Sequence, residues 1–429
     1  MIAISQHYTR IITPYLKNIS MALNALYVDF NSYFASVEQQ LRPELRGKPI
    51  GVLPVMAETT CCIAASYEAK AFGIKTGTMV RDARKLCSSM IFVEARPVLY
   101  VEYHHKLIEI VESCTHVEKV LSIDEMVCKL TGSQQVKENA LKLAAKIKRE
   151  INKQFPFIRS SIGIAPNTFL AKTASNMQKP DGCVMIEDSD IPQKLFSLKL
   201  RALNGIGRQM EARLNRYKIT TVEQLYALNR EQLRAAWGSI EGERYYDKLR
   251  GIEPYYVKNA RSSLGHSHVL PPEQRNIDGA KAVLHRLLQK AAMRMRSYDL
   301  LTAHISVKIK LRDQPSFYAE SNISATDNTL KLTDALEALF KGLPRAYKKF
   351  GPVAVGVNFT ALSNVQDAAY DLFTEKPNAN EVKLNKALDI LNLKYGKNTV
   401  YFAGAHDALK DAPMRIAFQH VPDLVVEED

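Results

Sequence analysis

No stretch of this 429-residue chain is apolar for long enough to span a bilayer, so a helical membrane protein is not expected. Cysteine is scarce and poorly spaced for metal. Cys61, Cys62, Cys87, Cys114, Cys128 and Cys183 form no C-x-x-C pair, so a zinc site is not expected and free thiols in a reducing cytoplasm are. Neither an internal repeat nor a low-complexity segment is present. The first residues carry Arg10, Ile11, Ile12 and Lys17 but no signal-peptide core. Residues 1–22 therefore read as an N-terminal extension, or Met21 as the start. Acid is also short: 45 Asp and Glu against 58 Lys and Arg leave a net charge of +13. That balance favours a polyanionic partner, nucleic acid first, over a basic protein without one. A hydrophobic content of 46% is ordinary for globular chains, and the length suits two to four domains.

Against this plain background, Leu121-Ser122-Ile123-Asp124-Glu125 stands out. An apolar run leads into two adjacent carboxylates, and Met126 and Val127 resume the apolar pattern. Read as a half-buried strand from Val120 to Leu130, the segment would point Asp124 and Glu125 to opposite faces. Uncompensated carboxylates there would be costly, and a divalent cation with a taste for hard oxygen, Mg²⁺, would remove the cost. Ala25-Leu26-Tyr27-Val28-Asp29-Phe30 is a second apolar strand ending in acid. Two such strands delivering carboxylates to one sheet edge would make a two-metal site for phosphoryl transfer.

Strand and helix patterns alternate from Leu23 to Ala174, with a long helix expected over Tyr100–Glu118 and another over Asn139–Gln154. This is an α+β region on an antiparallel or mixed sheet. Near residue 200 the texture becomes helical: Met210–Tyr217, Thr220–Leu228 and Glu231–Trp237. Gly205-Ile206-Gly207 between helices fits a helix-hairpin-helix turn whose backbone N–H groups can hold a DNA phosphate, or an ordinary helix–helix loop. After a Tyr-rich linker, the order β-α-β-β-α-β runs from Leu264 to Leu362, and a tail helix follows at Glu381–Leu393.

Five segments now carry a resemblance, in order along the chain. Tyr27 to Glu38 resembles the opening motif of the Y-family translesion DNA polymerases (DinB/UmuC-like), and Ser66 to Ile74 resembles their finger motif. Ser122 to Glu125 resembles the central catalytic motif. Ser161 to Ala165 with Leu170-Ala171-Lys172, then Lys179-Pro180-Asp181-Gly182, resemble the end of the palm. The C-terminal part, through Leu388–Asn392 and Asn398–Gly404, is similar to the UmuC-type branch.

The resemblance implies a right-hand polymerase. Its palm would be residues 23–52 and 97–200, its small fingers 53–96, its helical thumb 201–258 and its little finger 259–365, followed by a tail 366–429. It implies a cytoplasmic, error-prone, template-directed DNA polymerase that acts in DNA damage tolerance on primer-template DNA and deoxyribonucleoside triphosphates. Asp29, Asp124 and Glu125, with the Phe30 carbonyl, would hold two Mg²⁺ ions. Tyr67, Lys70 and Lys179 would contact the triphosphate. Lys70 stands where Arg is common and cannot form a bidentate fork. Asn31 stands where many relatives carry acid, and its loss is immaterial if only its backbone serves.

Phe34 would be the steric gate against a ribose 2′-hydroxyl, or else a core aromatic beside Tyr33 and Val37. Ala64, Ala65 and Ser66 would leave the nascent pair loosely covered. Gly205, Gly207, Arg261, His266, His268, Lys308, Lys310 and Arg312 would touch DNA phosphates. Ala369-Tyr370-Asp371-Leu372-Phe373 resembles a sliding-clamp motif anchored by Leu372 and Phe373, without the usual Gln at its head; an activating accessory protein is a further implied partner. Two rivals remain: a non-catalytic clamp-binding adaptor, against which all three carboxylates argue, and another palm-type nucleotidyl enzyme such as a cyclase.

Overall fold

The computed structural model describes residues 22–256, 261–344, 349–367, 379–411 and 421. The chain divides into two compact units between Tyr256 and Val257. Among the described residues no helix is long and apolar enough to cross a membrane.

The first unit opens with β1 (Ala25–Phe30), whose six side chains are all buried, and α1 (Tyr33–Leu41). A small subdomain follows: β2 (Ile50–Leu53), β3 (Ala64–Ala65), α2 (Tyr67–Ala71), α3 (Val80–Leu86) and β4 (Ile91–Glu94). Its three strands lie in the order β3-β2-β4 over a compact core that includes Leu53, Cys62, Ala69, Ile74 and Met90. The chain then returns through α4 (Pro97–Glu112), β5 (Val117–Val120), β6 (Glu125–Lys129), α5 (Lys137–Gln154), β7 (Ser160–Ala165), α6 (Thr168–Met177) and β8 (Cys183–Met185). The larger sheet has the order β5-β6-β1-β7-β8, with β1 antiparallel to both β6 and β7.

Two sequence expectations are corrected here. The helix expected to run to Glu118 stops at Glu112, because Val117–Val120 is claimed by pairing with β6. The expected acidic strand begins only at Glu125; Leu121 to Asp124 form the hairpin turn, in which the N–H groups of Leu121 and Ser122 both donate to the Glu125 carbonyl, at 2.9 and 3.2 Å. Strand alternation therefore does not govern Asp124.

Both faces of this sheet are covered. One carries Ala25, Tyr27 and Val127 against Phe169, Leu170, Ala171 and Ala174 of α6. The other buries Leu26, Val28, Met126, Ile162 and Ile164, and the apolar stripe of α5 (Leu143, Ile147, Ile151) packs against β7. Helix α6 can lie this close only because position 163 is glycine. A Cβ on Gly163 would stand 1.8 Å from the Ala171 carbonyl oxygen and 2.5 Å from the Ser175 nitrogen.

The short helix α7 (Gln193–Phe196) leads to four more: α8 (Arg208–Arg216), α9 (Val222–Ala227), α10 (Arg230–Trp237) and α11 (Glu241–Leu249). The last was not anticipated from the sequence. Gly242 weakens its helical pattern, yet that glycine lets α11 meet α10: a Cβ there would be 2.1 Å from the Leu233 carbonyl oxygen. Trp237 stacks on Tyr245 at 4.5 Å, and Tyr245 meets Phe169 of α6 edge-on at 5.2 Å, so these helices share one core with the sheet.

The second unit contains β9 (Ser263–Val269), α12 (Ile277–Arg296), β10 (Leu300–Leu311), β11 (Phe317–Thr326), α13 (Thr329–Lys341), β12 (Pro352–Asn364) and α14 (Ala379–Tyr395). This is the expected β-α-β-β-α-β order, with sheet order β11-β10-β12-β9. Alternation decides its faces. Ile305, Val307, Ile309, Val355, Val357 and Phe359 join Leu284, Leu287, Leu288 and Leu332 in one core under the helices. His304, Ser306, Lys308 and Lys310 take the other face, as do Tyr318 and Glu320. Register shows that His266 and His268 belong to the inner face, opposite Val357 and Val355, which corrects their assignment as phosphate contacts. The tail is integral to this unit. Asp389 of α14 receives two hydrogen bonds from Arg296, at 2.6 and 2.8 Å, and Gln289 exchanges a pair with the backbone of Phe402, both at 3.1 Å.

Replacing Gly163 by Ala is expected to cost about 3 kcal/mol, because backbone rather than a flexible side chain fills the space a methyl group needs. Trp237, the only tryptophan, lies in the same core as α6 and reports unfolding of this unit in urea. An unchanged midpoint would contradict the close approach.

Candidate active site

Asp29 ends β1 and Glu125 begins β6, and the antiparallel register places them directly opposite one another. Facing residues in a sheet project to the same side, so two carboxylates share one patch beside α6. Asp124 joins them from the hairpin turn, which is pinned to β1 by the Phe30 N–H donating to the Asp124 carbonyl at 2.9 Å. Phe30 contributes only its backbone to this edge, for its side chain is buried.

Each carboxylate already has a partner. Lys179 Nζ donates to Asp29 Oδ2 at 2.5 Å, Lys172 Nζ to Glu125 Oε2 at 2.8 Å, and Ser122 Oγ to Asp124 Oδ1 at 2.6 Å. Even so, burial outweighs the Lys179 charge at Asp29, and with help from Glu125 and Asp124 pushes its carboxyl up to about 6. Asp124 is raised as well, by burial first, against the opposing pull of the Ser122 hydroxyl. At both carboxylates burial disfavours the charged form, and a neighbouring carboxylate adds to it.

Of the expected triphosphate contacts, all three are brought here. Tyr67 and Lys70 lie on α2, with Lys70 Nζ 4.2 Å from the centre of the Tyr67 ring and donating to Ser32 Oγ at 2.7 Å. Burial raises Tyr67 to about 12, with the Asp29 charge adding to it. Burial lowers Lys70, and the nearby Lys179 charge lowers it further. One patch thus gathers three carboxylates, three lysines and a phenol.

The roles of several residues in this arrangement were not legible in the sequence. Asn31 is one: its side chain, not its backbone alone, is used. Its Nδ2 donates to the Asp29 carbonyl at 3.3 Å and to Ser161 Oγ at 3.1 Å, while its Oδ1 accepts from the Asp181 N–H at 2.7 Å. Ser161 Oγ in turn donates to the Gln178 carbonyl at 3.2 Å. These bonds fix both ends of the loop that presents Lys179. His104 is another. Its Nδ1 meets the Ile123 carbonyl at 2.7 Å, and burial lowers its pKa to about 4, so it stays neutral while anchoring the acidic turn. Lys172 was seen within a motif, but its pairing with Glu125 was not.

Phe34 is half-exposed, whereas its neighbours Tyr33 and Val37 are buried, which sets it apart from the core. Ala65 and Ser66 are buried inside the three-stranded subdomain, where Ser66 Oγ caps α2 by accepting from the Ala69 N–H; they serve that core rather than a surface. Gly205 holds a φ of +90°, and Gly207 caps the start of α8 with open space where its side chain would be. Lys308, Lys310 and Arg312 are exposed on the second unit, while Arg261 lies 4.0 Å from the centre of the Tyr298 ring. Leu372 and Phe373 lie outside the described residues, as do Met1 and Met21.

Hard oxygen donors on adjacent strands, whose charged form burial disfavours, fit divalent cations in chemistry. As arranged, each carboxylate turns to its own partner. Among the described residues no three acidic, His or Cys side chains are gathered closely enough to grip one ion.

Comparison with known proteins agrees with the fold. Residues 28–176 match the impB/mucB/samB family, and residues 261–372 match the C-terminal domain of the same family. DNA polymerase IV of Moorella thermoacetica is 32% identical over 90% of this chain and 96% of its own length. DNA polymerase IV of Bacillus velezensis is 30% identical over 87% of this chain and 91% of its own. The UmuC-type likeness of the C-terminal part rests on its own residues alone. Among solved structures, a chimera of the Y-family polymerases Dbh and Dpo4 covers 80% of this chain and all of its own, with a TM-score of 0.69 at 24% identity. DinB from Sulfolobus solfataricus aligns over 79% of this chain and 98% of its own at 25% identity, with a TM-score of 0.51. The chain belongs to the Y family of DNA polymerases, and is a DNA-directed DNA polymerase of palm, fingers, thumb and little finger.

Proposed function

We propose that this polymerase extends primers past damaged template positions in DNA damage tolerance, with Asp29, Asp124, Glu125 and the Phe30 carbonyl as the seat of two Mg²⁺ ions. The observation that carries the reading is the facing pair Asp29 and Glu125, with Asp124 alongside, in a patch where burial disfavours the charged form of Asp29 and Asp124. Divalent cations at such a site supply activation of the primer hydroxyl and neutralisation of the triphosphate.

The chain's own residues do the rest. Lys179 and Lys70 provide charge for the phosphates, and Tyr67 a hydroxyl to orient them. Lys179 leaves Asp29 for the incoming phosphates, an exchange of one anion for another that costs it no pairing. Lys172 stays on Glu125. Phe34, half-exposed, stands as the gate against a ribose 2′-hydroxyl. The second unit offers a polar sheet face on which Lys308 and Lys310 are exposed, with Arg312 exposed beyond the end of β10. It suits phosphate backbones of any sequence. Gly205 and Gly207 present the start of α8 to another phosphate. The clamp reading of Leu372 and Phe373, and an activating partner, belong to the same proposal and rest on the motif alone.

Asp124→Ala is expected to reduce single-turnover nucleotide addition by at least about 10²-fold. Affinity for primer-template DNA should stay nearly unchanged, because the cationic face lies on other residues. Near-normal extension by this variant would sink the assignment.

For DNA binding, log affinity should fall linearly with log salt and depend little on sequence. Lys308→Ala combined with Lys310→Ala should flatten that slope by about one unit for each phosphate no longer neutralised. Titrations on unrelated duplexes at several salt concentrations check this, and a slope equal to that of the unaltered protein would remove this face from the DNA interface.

Phe34→Ala is expected to raise the efficiency of ribonucleotide relative to deoxyribonucleotide insertion by roughly a hundredfold, because a pocket rejects an added hydroxyl by bulk rather than by solvation. A core role would instead lower both efficiencies together. The measurement is the ratio of kcat/KM values in the folded variant.

A further inference from the structure

The ring of Phe34 does not stand alone. It stacks on Tyr100 of α4, with centroids 4.6 Å apart and planes 17° from parallel. Tyr100 is fully buried. Its hydroxyl donates to Glu38 Oε1 at 2.8 Å, and Glu38 is itself fully buried on α1, one helical turn beyond Phe34. Arg96 grips that carboxylate with two bonds, Nε to Oε1 at 3.0 Å and a terminal nitrogen to Oε2 at 2.6 Å, and Arg42 adds an ion pair at 3.5 Å. From the other side, the Tyr33 hydroxyl donates to the Tyr100 carbonyl at 2.6 Å. The Tyr100 ring is therefore held at its hydroxyl, along its face and at its backbone.

Such a network is a poor source of stability. A buried carboxylate costs several kcal/mol of desolvation, and apolar residues of like volume often do as well or better. What it offers is orientation, since every donor points one way and a satisfied buried network resists rearrangement. The only half-exposed aromatic ring in this stack is Phe34.

We infer that Tyr100, clamped by Glu38 and Arg96, is the positioning residue that fixes the plane of Phe34, so that sugar discrimination depends on a side chain that does not itself reach the sugar. The inference rests on the reading of Phe34 as the gate. Steric exclusion needs a ring that cannot yield. A ring free to tilt would admit a 2′-hydroxyl without being shortened, and tilting here is blocked by the parallel face of Tyr100.

The test measures insertion of ribo- and deoxyribonucleoside triphosphates opposite one template base by the full chain, in Phe34→Ala, Tyr100→Leu, Tyr100→Phe and the double variant Phe34→Ala/Tyr100→Leu. Displacing a positioned group by about an ångström changes rates by one to two orders of magnitude, so Tyr100→Leu should raise the ribo-to-deoxy ratio about tenfold. Deoxyribonucleotide efficiency should move far less than the ratio. In the double variant the ratio should equal that of Phe34→Ala alone, because Tyr100 acts only through that ring. Tyr100→Phe keeps the stacked ring and removes only the bond to Glu38; it should raise the ratio by a few-fold, and it decides the question if Tyr100→Leu does not fold. A ratio that rises in Phe34→Ala but not in folded Tyr100 variants overturns the positioning role and leaves the gate standing. An additive rise in the double variant overturns it too. An unchanged ratio in Phe34→Ala removes the gate, and this inference with it.

Discussion

The site in the first unit brings like charges together. Asp29 and Glu125 face one another across an antiparallel pair, with Asp124 one residue away. Like charges directly opposite one another destabilise a sheet, before the cost of burying either is counted. Cations close by ease such a pair. Lys172 and Lys179 deliver two, and both arrive from α6 and the loop behind it. Burial nonetheless holds the carboxyls of Asp29 and Asp124 above the usual carboxylate range.

The supporting structure follows from that need. Helix α6 must lie close for Lys172 to reach Glu125, and the bare backbone of Gly163 permits it. The loop carrying Lys179 must return to β1, and Asn31, Ser161 and Lys148 hold it there, with Lys148 Nζ 2.9 Å from Asp181 Oδ1. The acidic turn must not drift, and neutral His104 anchors it through Ile123. A second charge, Glu38, is buried for a different end. It is fully satisfied by Arg96 and Tyr100 and fixes a stack of aromatic rings beside the same strand.

The second unit meets its constraint in the opposite way. Its sheet buries one face under α12 and α13 and leaves the other polar, so alternation along each strand sorts residues into core and surface. Its tail is fastened to α12 through Asp389 and Phe402, which makes residues 379–411 part of the domain's helical layer. Sequence alone did not place that layer, because α14 carries apolar residues all round: Leu384, Ile390, Leu391 and Leu393 remain exposed.

The amino-acid sequence by itself determined the α+β class, most of the order of elements and the two acidic segments. These depend on local pattern: apolar strands ending in carboxylates, a β-α-β-β-α-β succession, motifs in a set order. It did not determine where β5 begins, since Val117–Glu118 continues a helical pattern and only pairing with β6 claims it as strand. Nor did it reveal α11, where the glycine that weakens the local signal is the one that tight packing requires. His266 and His268 looked like phosphate contacts until register against Val357 and Val355 turned them inward. Asp124 escaped strand alternation because a hairpin turn, set by pairing across the sheet, holds it. The partners of Asp29, Glu125 and Phe34 are Lys179, Lys172 and Tyr100, at sequence separations of 150, 47 and 66. Pairings over such distances are decided by which faces pack together, and only the tertiary structure sets that.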